Sequence, residues 1–591
     1  MANISTPILI IGAGPAGLSA SALLARYGIG TLTVTRHPTV ANSPRAHITN
    51  QRTLEVFRDL GIEGAVVAAA TPNSLMLNNV WATSFAGAEL ARLEAWGAGE
   101  LRRADYARAS PCTMCNIPQH VLEPILQQAA QDAGANFLFN TEVKEITQDD
   151  GKVSALLVDR ANGMQTVVQA QYAIGADGGN SLVARSIGVE FEGEMGLATY
   201  ASCWLEADLA PYCAHRPGVL YWLSQPDPQF GLCMGTFICV KPWSEWVMSF
   251  FCDPASGPEQ LSEEAIIARA RTLIGDSSVA VKIKSVNRWH ANQMVAKSMA
   301  SGRIFLAGDA AHRHTPMNGL GTNTSVQDSF NLAWKLAMVL RKQASPALLD
   351  TYTAERQPVA RQVVGRATRS GEEMRNFMAA FDILPDGRPA AAYQARIEEL
   401  SSNTEQGRLR RAGADAALER MHYALNCHGV ELGQRYASHA VHPDAMPAIV
   451  PERDPELYFS PSTVPGASLP HAWLEYRGKQ VSTLDLAGHG RFTLLTGLSG
   501  GAWKTAAEEA ARLLGIELDT FAIGPGCEVL DPYRSWARLR EVEESGCVLV
   551  RPDRFILWRA QRHAGDASRL LQSILSAALW PDGIGRAAEA A

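Results

Sequence analysis

The chain has 591 residues, of which 47% are hydrophobic and 19% are charged, and its formal net charge is −7 at pH 7. This is an ordinary globular composition, and the length predicts several structural units rather than one core. The acidic balance argues against a nucleic-acid partner. We find no membrane-spanning apolar run and no signal peptide. The ten scattered cysteines are typical of reduced thiols, so we expect a cytoplasmic protein.

The first predicted elements form a βαβ unit. An apolar strand at 7–11 leads through a glycine-rich turn into a helix at 16–27, and a second β-rich run follows at 31–35. Further along, 118–133 predicts another helix, and residues 152–173 predict a hairpin around an Asn-Gly turn. The alternation of strands and helices favours a parallel, doubly wound sheet.

The glycine-rich turn has the spacing of a dinucleotide-binding site. Gly12 permits the tight turn, Gly14 leaves room for a pyrophosphate beside the backbone, and Gly17 lets helix and strand pack closely. The helix N-terminus then offers free N–H groups to the phosphates. The second strand ends in Thr35 and Arg36, where an acidic residue usually holds the ribose, so Arg36 is instead expected near a phosphate or the adenine.

Later segments change character. Between about 200 and 284, aromatic residues and alternating patterns predict an inserted antiparallel sheet, and a long helix is predicted at 325–340. A charge-rich helical segment and a Pro- and His-rich stretch precede a last unit with its own strands and helix. The patterns predict these units: 1–195 and 285–370 as the two parts of one α/β domain, 196–284 as an inserted β-sheet domain, 371–427 as a helical segment, 428–465 as a linker, and 466–591 as a C-terminal domain.

The run at 308–323, GDAAHRHTPMNGLGTN, is the second cofactor signal. Asp309, at the end of an apolar strand, can accept a hydrogen bond from a ribityl hydroxyl. Gly319, Gly321 and Asn323 open a helix whose N–H groups suit the carbonyl edge of an isoalloxazine. Pro316 has no N–H and can form a wall beside the ring. Together with the first turn, this run indicates a flavin dinucleotide between the two segments.

At this point the sequence resembles the single-component, FAD-dependent aromatic hydroxylases (class A flavoprotein monooxygenases), and within them the phenol-hydroxylating branch. The resemblance covers essentially the whole chain. It rests on the following segments: 12–17, 45–47, 52–55, 117–119, 176–179, 308–323, 331–335, 482–486 and 549–553.

The resemblance implies a Rossmann-like α/β FAD-binding domain, an inserted antiparallel substrate sheet and a thioredoxin-like C-terminal domain that lacks Cys-x-x-Cys. It implies bound FAD and a transient NADPH or NADH donor, and the C-terminal unit suggests a homodimer. Residues expected to contact FAD are Gly12, Gly14, Ala16, Gly17, Arg36, Arg45, Gln119, Asp177, Gly308, Asp309, Pro316, Gly319, Leu320, Gly321 and Asn323. The family often places arginine three residues after Ser181, whereas here it arrives one place late as Arg185, so its role stays open.

The reaction implied is the ortho-hydroxylation of a substituted phenol to a catechol with NAD(P)H and O2, through a flavin C4a-hydroperoxide. Such a reaction needs a proton acceptor near the phenol oxygen, and His47 is our candidate because imidazole titrates near working pH. The alternative is that His47 only orients its loop. Candidate pocket walls are Tyr221, Trp222, Met234, Trp289, His314 and Met317, which would favour a phenol with an apolar ortho substituent.

Other signals carry less weight. Cys112 and Cys115 have redox-motif spacing but are expected to be unpaired thiols, and His312 with His314 lacks a second ligand pair, so we expect no metal. The same scaffold could act on another hydroxylated aromatic, such as a polyketide or a hydroxyphenyl acid. A non-hydroxylating FAD-binding protein or a nicotinamide dehydrogenase also stays open, while the signature of flavin halogenases is absent.

Overall fold

The computed structural model describes residues 2–252, 261–444 and 450–583. Parts of the predicted insertion (253–260), of the predicted linker (445–449) and of the final unit (584–591) lie outside the described residues. The described chain is a mixed α/β protein. None of its described helices combines the length and apolar character needed to cross a membrane.

The strands carry these labels in chain order: β1 (Ala2–Ile11), β2 (Thr31–Val34), β3 (Ile48–Thr49), β4 (Asn78–Ala82), β5 (Glu89–Glu94), β6 (Cys115–Asn116), β7 (Asn136–Leu138), β8 (Thr141–Gln148), β9 (Val153–Asp159), β10 (Gln165–Gly175), β11 (Phe191–Glu206), β12 (Gly218–Asp227), β13 (Gly231–Lys241), β14 (Glu245–Phe251), β15 (Lys282–Ala296), β16 (Ala300–Ser301), β17 (Ile304–Leu306), β18 (His312–Arg313), β19 (Trp473–Tyr476), β20 (Lys479–Ser482), β21 (Phe492–Thr496), β22 (Leu518–Ala522), β23 (Val529–Leu530), β24 (Cys547–Val550) and β25 (Ile556–Ala560).

The helices are labelled in the same way: α1 (Pro15–Arg26), α2 (Gln51–Asp59), α3 (Glu63–Ala69), α4 (Arg103–Ala109), α5 (Gln119–Asp132), α6 (Leu182–Ser186), α7 (Ala210–Cys213), α8 (Glu263–Ile274), α9 (Gly321–Leu340), α10 (Thr351–Ala380), α11 (Ala390–Leu400), α12 (Glu405–Arg420), α13 (His422–Leu425), α14 (His428–Leu432), α15 (Thr483–Leu486), α16 (Gly501–Leu514), α17 (Ser535–Leu539) and α18 (Ala567–Leu579).

The first sheet contains the predicted βαβ unit. Its strand order is β16-β17-β10-β1-β2-β7, with β9 and β8 added beside β10. Strands β17, β10, β1, β2 and β7 pair in parallel. The run Ile8 to Ile11 is buried, as expected for a strand covered on both sides. Helices α1 and α9 pack against each other, so the two cofactor segments meet at one edge of this sheet.

The second sheet, which we call the substrate sheet, has the order β18-β15-β11-β14-β13-β12-β4-β5. It is wider than the insertion predicted at 196–284. Strands β4 and β5 come from the first segment, and β11 and β15 cross both predicted boundaries. Strand β4 pairs in parallel with β12, far along the chain, and no local pattern signals such a pairing.

The substrate sheet has two different faces. On the covered face, Phe237 and Trp246 are buried, and Gly235 lies so close to Leu273 of α8 that a Cβ would come within 2.6 Å of it. On the opposite face, which we call the open face, side chains are mostly half-buried. There Trp204 lies 5.3 Å from the ring of His120, at the start of α5 in the first domain. The open face therefore looks toward the FAD-binding domain.

The stretch 428–465 is not the linker we predicted. It begins with helix α14, whose residues are all buried, and Gln434 and Tyr436 beyond it are buried as well. The sequence did not predict this packing, because the stretch is rich in Pro and His and because α14, with five residues, is too short to show a helical periodicity. The segment packs between the FAD-binding domain and the final unit.

The final unit contains a four-stranded sheet in the order β22-β21-β24-β25, with α16 and α18 packed together. A fully buried ionic network joins it to the FAD-binding domain. Lys335 of α9 lies 2.7 Å from Glu355 of α10, and Glu355 also pairs with Arg551, which lies 2.6 Å from Asp553. Because an unpaired buried charge is costly, this network specifies how the last unit docks.

Candidate functional site

A cleft of about 960 Å³ opens where the two cofactor segments meet the substrate sheet. Its volume is at the upper end of the range for small-molecule sites, which suits a dinucleotide. Of the residues that we predicted from the sequence, those lining the cleft are Gly12, Gly14, Arg36, Arg45, Gln119, Asp177, Asp309 and Trp289.

The three glycines of the first turn differ in their surroundings as the spacing predicts. A Cβ on Gly12, whose φ is +112°, would meet the Ala176 carbonyl oxygen at 2.1 Å, and one on Gly17 would meet the Gly12 oxygen at 1.9 Å. A Cβ on Gly14 would meet nothing within 4 Å. Gly12 and Gly17 therefore serve close packing, whereas Gly14 leaves the cleft open beside the start of α1.

The N-terminus of α1 is free to bind an anion. No side chain caps it, and its first turn contains no acidic residue. Its N–H groups therefore point toward the cleft with the positive end of the helix dipole. Ala16, in this first turn, packs against Gly308: a Cβ on Gly308 would lie 3.1 Å from that of Ala16.

Asp309 presents an exposed side chain to the cleft. The loop behind it is held by Asp328, a fully buried carboxylate that accepts from the Gly308 N–H at 3.0 Å and from His312 Nε2 at 2.7 Å. Burial opposes ionisation of Asp328, but His312 and Arg356 hold its pKa below the ordinary value. His312 is thus a structural residue.

Asp177 uses both carboxylate oxygens within its own loop. It accepts from the Ser181 hydroxyl and from the backbone N–H groups of Leu182 and Val183, and so caps α6. It lines the cleft from this fixed position. Arg185, the late arginine, also lines the cleft and donates to the Asn180 carbonyl at 2.9 Å.

Arg36 and Arg45 also line the cleft, and both are exposed. Gln119 donates to Glu123 at 2.6 Å, and Glu123 also accepts from the Ala41 N–H. Burial raises the pKa of Glu123. Glu123 is a residue that our sequence reasoning missed, although its spacing of four from Gln119 on one helix could have revealed it.

The 316–323 loop is held by Asn323. Its amide donates to the carbonyls of Ile48 and Gly319, and its oxygen accepts from the Asn50 N–H at 2.9 Å. The side chain of Asn323 is therefore occupied, and only backbone N–H groups at the start of α9 are available. No side chain caps this helix.

The other predicted residues of this loop differ in exposure and in what they pack against. Leu320 is buried with Val359 and Phe555, so its side chain faces a core rather than the cleft. Pro316 is exposed, and Gly319 has φ +63°, which favours glycine. A Cβ on Gly321 would lie 3.5 Å from His314 Nε2.

His47 lies at the junction of the FAD-binding domain and the substrate sheet. Its Nδ1 is 2.6 Å from the Asn116 Oδ1, and the Asn116 Nδ2 donates to the Cys239 carbonyl of β13 at 3.1 Å. A carbonyl can only accept, so the Asn116 amide has one orientation and its oxygen must accept from His47 Nδ1–H. His47 Nε2 then carries the lone pair, and within the described residues no group donates to it.

Burial lowers the pKa of His47 to about 4, and the hydrogen bond that His47 donates to Asn116 offsets this only partly. The imidazole is therefore neutral at physiological pH and can accept a proton, but its pKa lies well below the working pH near which we expected it to titrate. Asn116 escaped our sequence reasoning, although it directly precedes the 117–119 motif. Burial also lowers the pKa of His314, whose Nδ1 lies 2.6 Å from the Thr315 carbonyl.

One predicted pocket wall is misplaced. Tyr221 lies on the covered face, fully buried against Phe85 and Trp246, with its hydroxyl donating to the Arg216 carbonyl. Its neighbour Trp222 points to the open face because successive strand residues alternate.

The other predicted walls lie nearer to the open space. Met234 shares the open face with Trp222, and Trp289 lines the cleft. Met317 is half-buried in the 316–323 loop and packs against the core of the substrate sheet. Apart from Tyr221, the predicted walls lie on the open face, in the cleft or in the loop that precedes α9.

Known proteins match this chain along its whole length. A family described as "FAD binding domain" matches residues 5–367, and "Aromatic-ring hydroxylase, C-terminal" matches residues 462–579. The chain is 46% identical to a 2,4-dichlorophenol 6-monooxygenase of Delftia acidovorans, over 97% of this chain and 98% of the relative. It is 41% identical to a phenol 2-monooxygenase of Pseudomonas sp. (strain EST1001), over 98% and 93%. Among solved structures, the flavin-dependent monooxygenase PieE, in complex with FAD and substrate, superposes with a TM-score of 0.94 at 46% identity, over 98% of this chain and all of that one.

Proposed function

The chain belongs to the FAD-dependent aromatic-ring hydroxylases, and on that premise we propose that it ortho-hydroxylates a substituted phenol to a catechol, using NAD(P)H and O2. The observation that carries the proposal is a neutral His47 whose Nδ1–H is fixed by Asn116 and whose Nε2, beside the substrate sheet, accepts from none of the described residues.

The cleft fits FAD. Gly14 leaves room for the pyrophosphate at the uncapped N-terminus of α1, Arg36 and Arg45 supply positive charge, and Asp309 faces the cleft as an acceptor for a ribityl hydroxyl. The free N–H groups at the start of α9 suit the carbonyl edge of the ring. When bound, FAD supplies the redox chemistry, taking reducing equivalents from NAD(P)H and activating O2.

The protein's own contribution is to hold the phenol and to accept its proton. His47 Nε2 takes the phenolic proton, which makes the ring carbon ortho to the oxygen more nucleophilic. Asn116 acts through His47 as a positioning residue, since it fixes the tautomer. The open face of the substrate sheet and the 316–323 loop enclose the ring and exclude water.

The test is NAD(P)H oxidation and O2 uptake by the FAD-loaded enzyme across a panel of substituted phenols, with identification of the product. We expect a catechol, and we expect His47→Ala to lower hydroxylation by at least about a hundredfold while FAD stays bound. His563→Ala, exposed on the final unit, is the matched control. Unchanged turnover in His47→Ala would contradict the role of His47, and the absence of any hydroxylated product would contradict the function.

We also propose that the final unit is thioredoxin-like. Support comes from its chain order, a parallel βαβ unit (β21, α16, β22) followed by an antiparallel hairpin (β24, β25) and a helix (α18). It has no Cys-x-x-Cys, which favours a structural or dimerisation role over a redox one. The homodimer and the cytoplasmic location stay predictions.

A further inference from the structure

A row of polar side chains crosses the open face of the substrate sheet, one from each successive strand. Directly paired residues lie on the same face, so the register itself defines the row. Ser202 of β11 pairs with Ser249 of β14, Ser249 pairs with Thr236 of β13, and Thr236 pairs with Trp222 of β12. All four side chains are half-buried, whereas their covered-face neighbours are buried.

One end of this row meets the cofactor cleft. Trp289 lines the cleft, and its Nε1 donates to the Ser202 hydroxyl at 2.9 Å. The Ser202 hydroxyl in turn lies 3.5 Å from that of Ser249. Within the described part of the chain, the Thr236 hydroxyl has no hydrogen-bond partner at all, so a donor remains free in the middle of the row.

The other end of the row holds buried donors without partners. Trp222 Nε1 donates to the Asn79 Oδ1 at 3.3 Å, which orients the amide and leaves its Nδ2 unpaired. Asn79 is fully buried, and the Nε1 of Trp81, its neighbour on the same face, is also unpaired among the described residues. A buried donor without a partner costs free energy unless something accepts from it.

The row is also long. Strands lie about 4.8 Å apart, so three steps from β11 to β12 separate Ser202 from Trp222 by about 14 Å. A phenol of one ring, placed with its oxygen at His47, would leave most of these donors unused. A longer substrate whose second substituent accepts hydrogen bonds would use them.

We propose that the substrate is an extended phenol that carries a carbonyl group, and that Thr236, in the middle of the row, recognises this carbonyl from the open face. This inference rests on the proposed function and names its substrate class. It differs from the apolar ortho substituent that the sequence led us to expect, because the open face offers donors.

The test compares two ligands that differ only at one position. 4-Hydroxybenzophenone has a carbonyl between its two rings, and 4-benzylphenol has a methylene there. Each is titrated by calorimetry into the FAD-loaded protein without NAD(P)H, so that binding is read apart from turnover. We expect wild type to bind both, and Thr236→Val to weaken the ketone about five- to tenfold while changing the methylene compound less than twofold.

Asn79→Leu tests whether that single carbonyl is bound at Thr236: because Asn79 lies two strands away, its replacement should change the affinity of both ligands less than twofold, with FAD content and melting temperature as folding checks. Thr520→Val, in a strand of the final unit, is the matched control and should change neither affinity. If Asn79→Leu does not fold, the comparison of the two ligands in Thr236→Val still tests the proposal.

The outcomes separate the two proposals. Equal weakening of both ligands, no weakening of either, or failure of wild type to bind either compound would overturn the substrate class, even if smaller phenols are hydroxylated. Selective loss of ketone binding would support the class. If the bound ketone then gave no catechol with NAD(P)H and O2, the proposed function would fail while the recognition of the carbonyl stood.

Discussion

Replacing Glu431 by glutamine should change how the stability of this protein depends on pH. Glu431 lies in the buried helix α14 and is 2% exposed. Its Oε1 accepts from the Cys427 thiol at 3.7 Å, while among the described residues its Oε2 has no partner. Burial raises the pKa of Glu431 from an ordinary value of 4.5 to about 7.

The direction of the effect follows from proton binding. Between pH 4.5 and 7 the folded protein holds a proton on Glu431 that the unfolded chain has released. The stabilising contribution is therefore complete below pH 4.5 and is lost as the pH rises through 7. At about 1.4 kcal/mol per pH unit, the loss in the free energy of unfolding is about 3 kcal/mol.

Glutamine keeps the acceptor for Cys427 and cannot ionise, so Glu431→Gln should lack this loss. The assay is urea unfolding of FAD-loaded protein, followed by tryptophan fluorescence at several pH values from 4.5 to 8.5. The difference in unfolding free energy between variant and wild type should shift in favour of the variant by about 3 kcal/mol across this range. Glu508→Gln, exposed on α16, should show no such shift. Parallel pH profiles for wild type and Glu431→Gln would refute the reasoning.

Three further predictions concern the cofactor, the base and the docking of the final unit. Gly14→Val places a side chain in the open cleft and should weaken FAD binding at least about tenfold, measured by flavin fluorescence titration. An unaltered affinity for FAD would mean that the cofactor does not bind beside Gly14. Asn116→Asp puts an anion beside His47 and should raise the pKa of His47. The acid limb of the pH profile of kcat/KM should therefore move upward by at least about one pH unit. An acid limb that does not move would show that it reports a group other than His47. Lys335→Met removes one cation from the network around Glu355 and should lower the unfolding free energy by about 3 kcal/mol, seen as a fall in Tm; an unchanged Tm would mean that the network contributes nothing.

Much of the cofactor site could be predicted from the sequence because its determinants are local. The turn with Gly12, Gly14 and Gly17 is contained in six residues between one strand and one helix, and each glycine has the predicted surroundings. The 308–323 run likewise joins one strand to one helix. In both segments, short-range geometry decides where backbone N–H groups point, so spacing alone carries the information.

The rest depends on contacts between distant parts of the chain. Alternation of residues predicts that Tyr221 and Trp222 face opposite sides, but only the packing of α8 decides which side is covered, and we therefore misplaced Tyr221. The hydrogen-bond partner of His47, Asn116, is 69 residues away in the sequence. Helix α14 is buried only because the FAD-binding domain and the final unit pack around it.

The sequence by itself determined the nucleotide turns, the type of cofactor and the position of the candidate base, since backbone conformation and residue chemistry act over a few neighbouring residues. Tertiary structure alone decided the width of the substrate sheet, the tautomer of His47 and which donors share the open face of that sheet. These three features depend on which surfaces pack together in the folded chain, because packing decides which groups are buried and which hydrogen-bond partners they find.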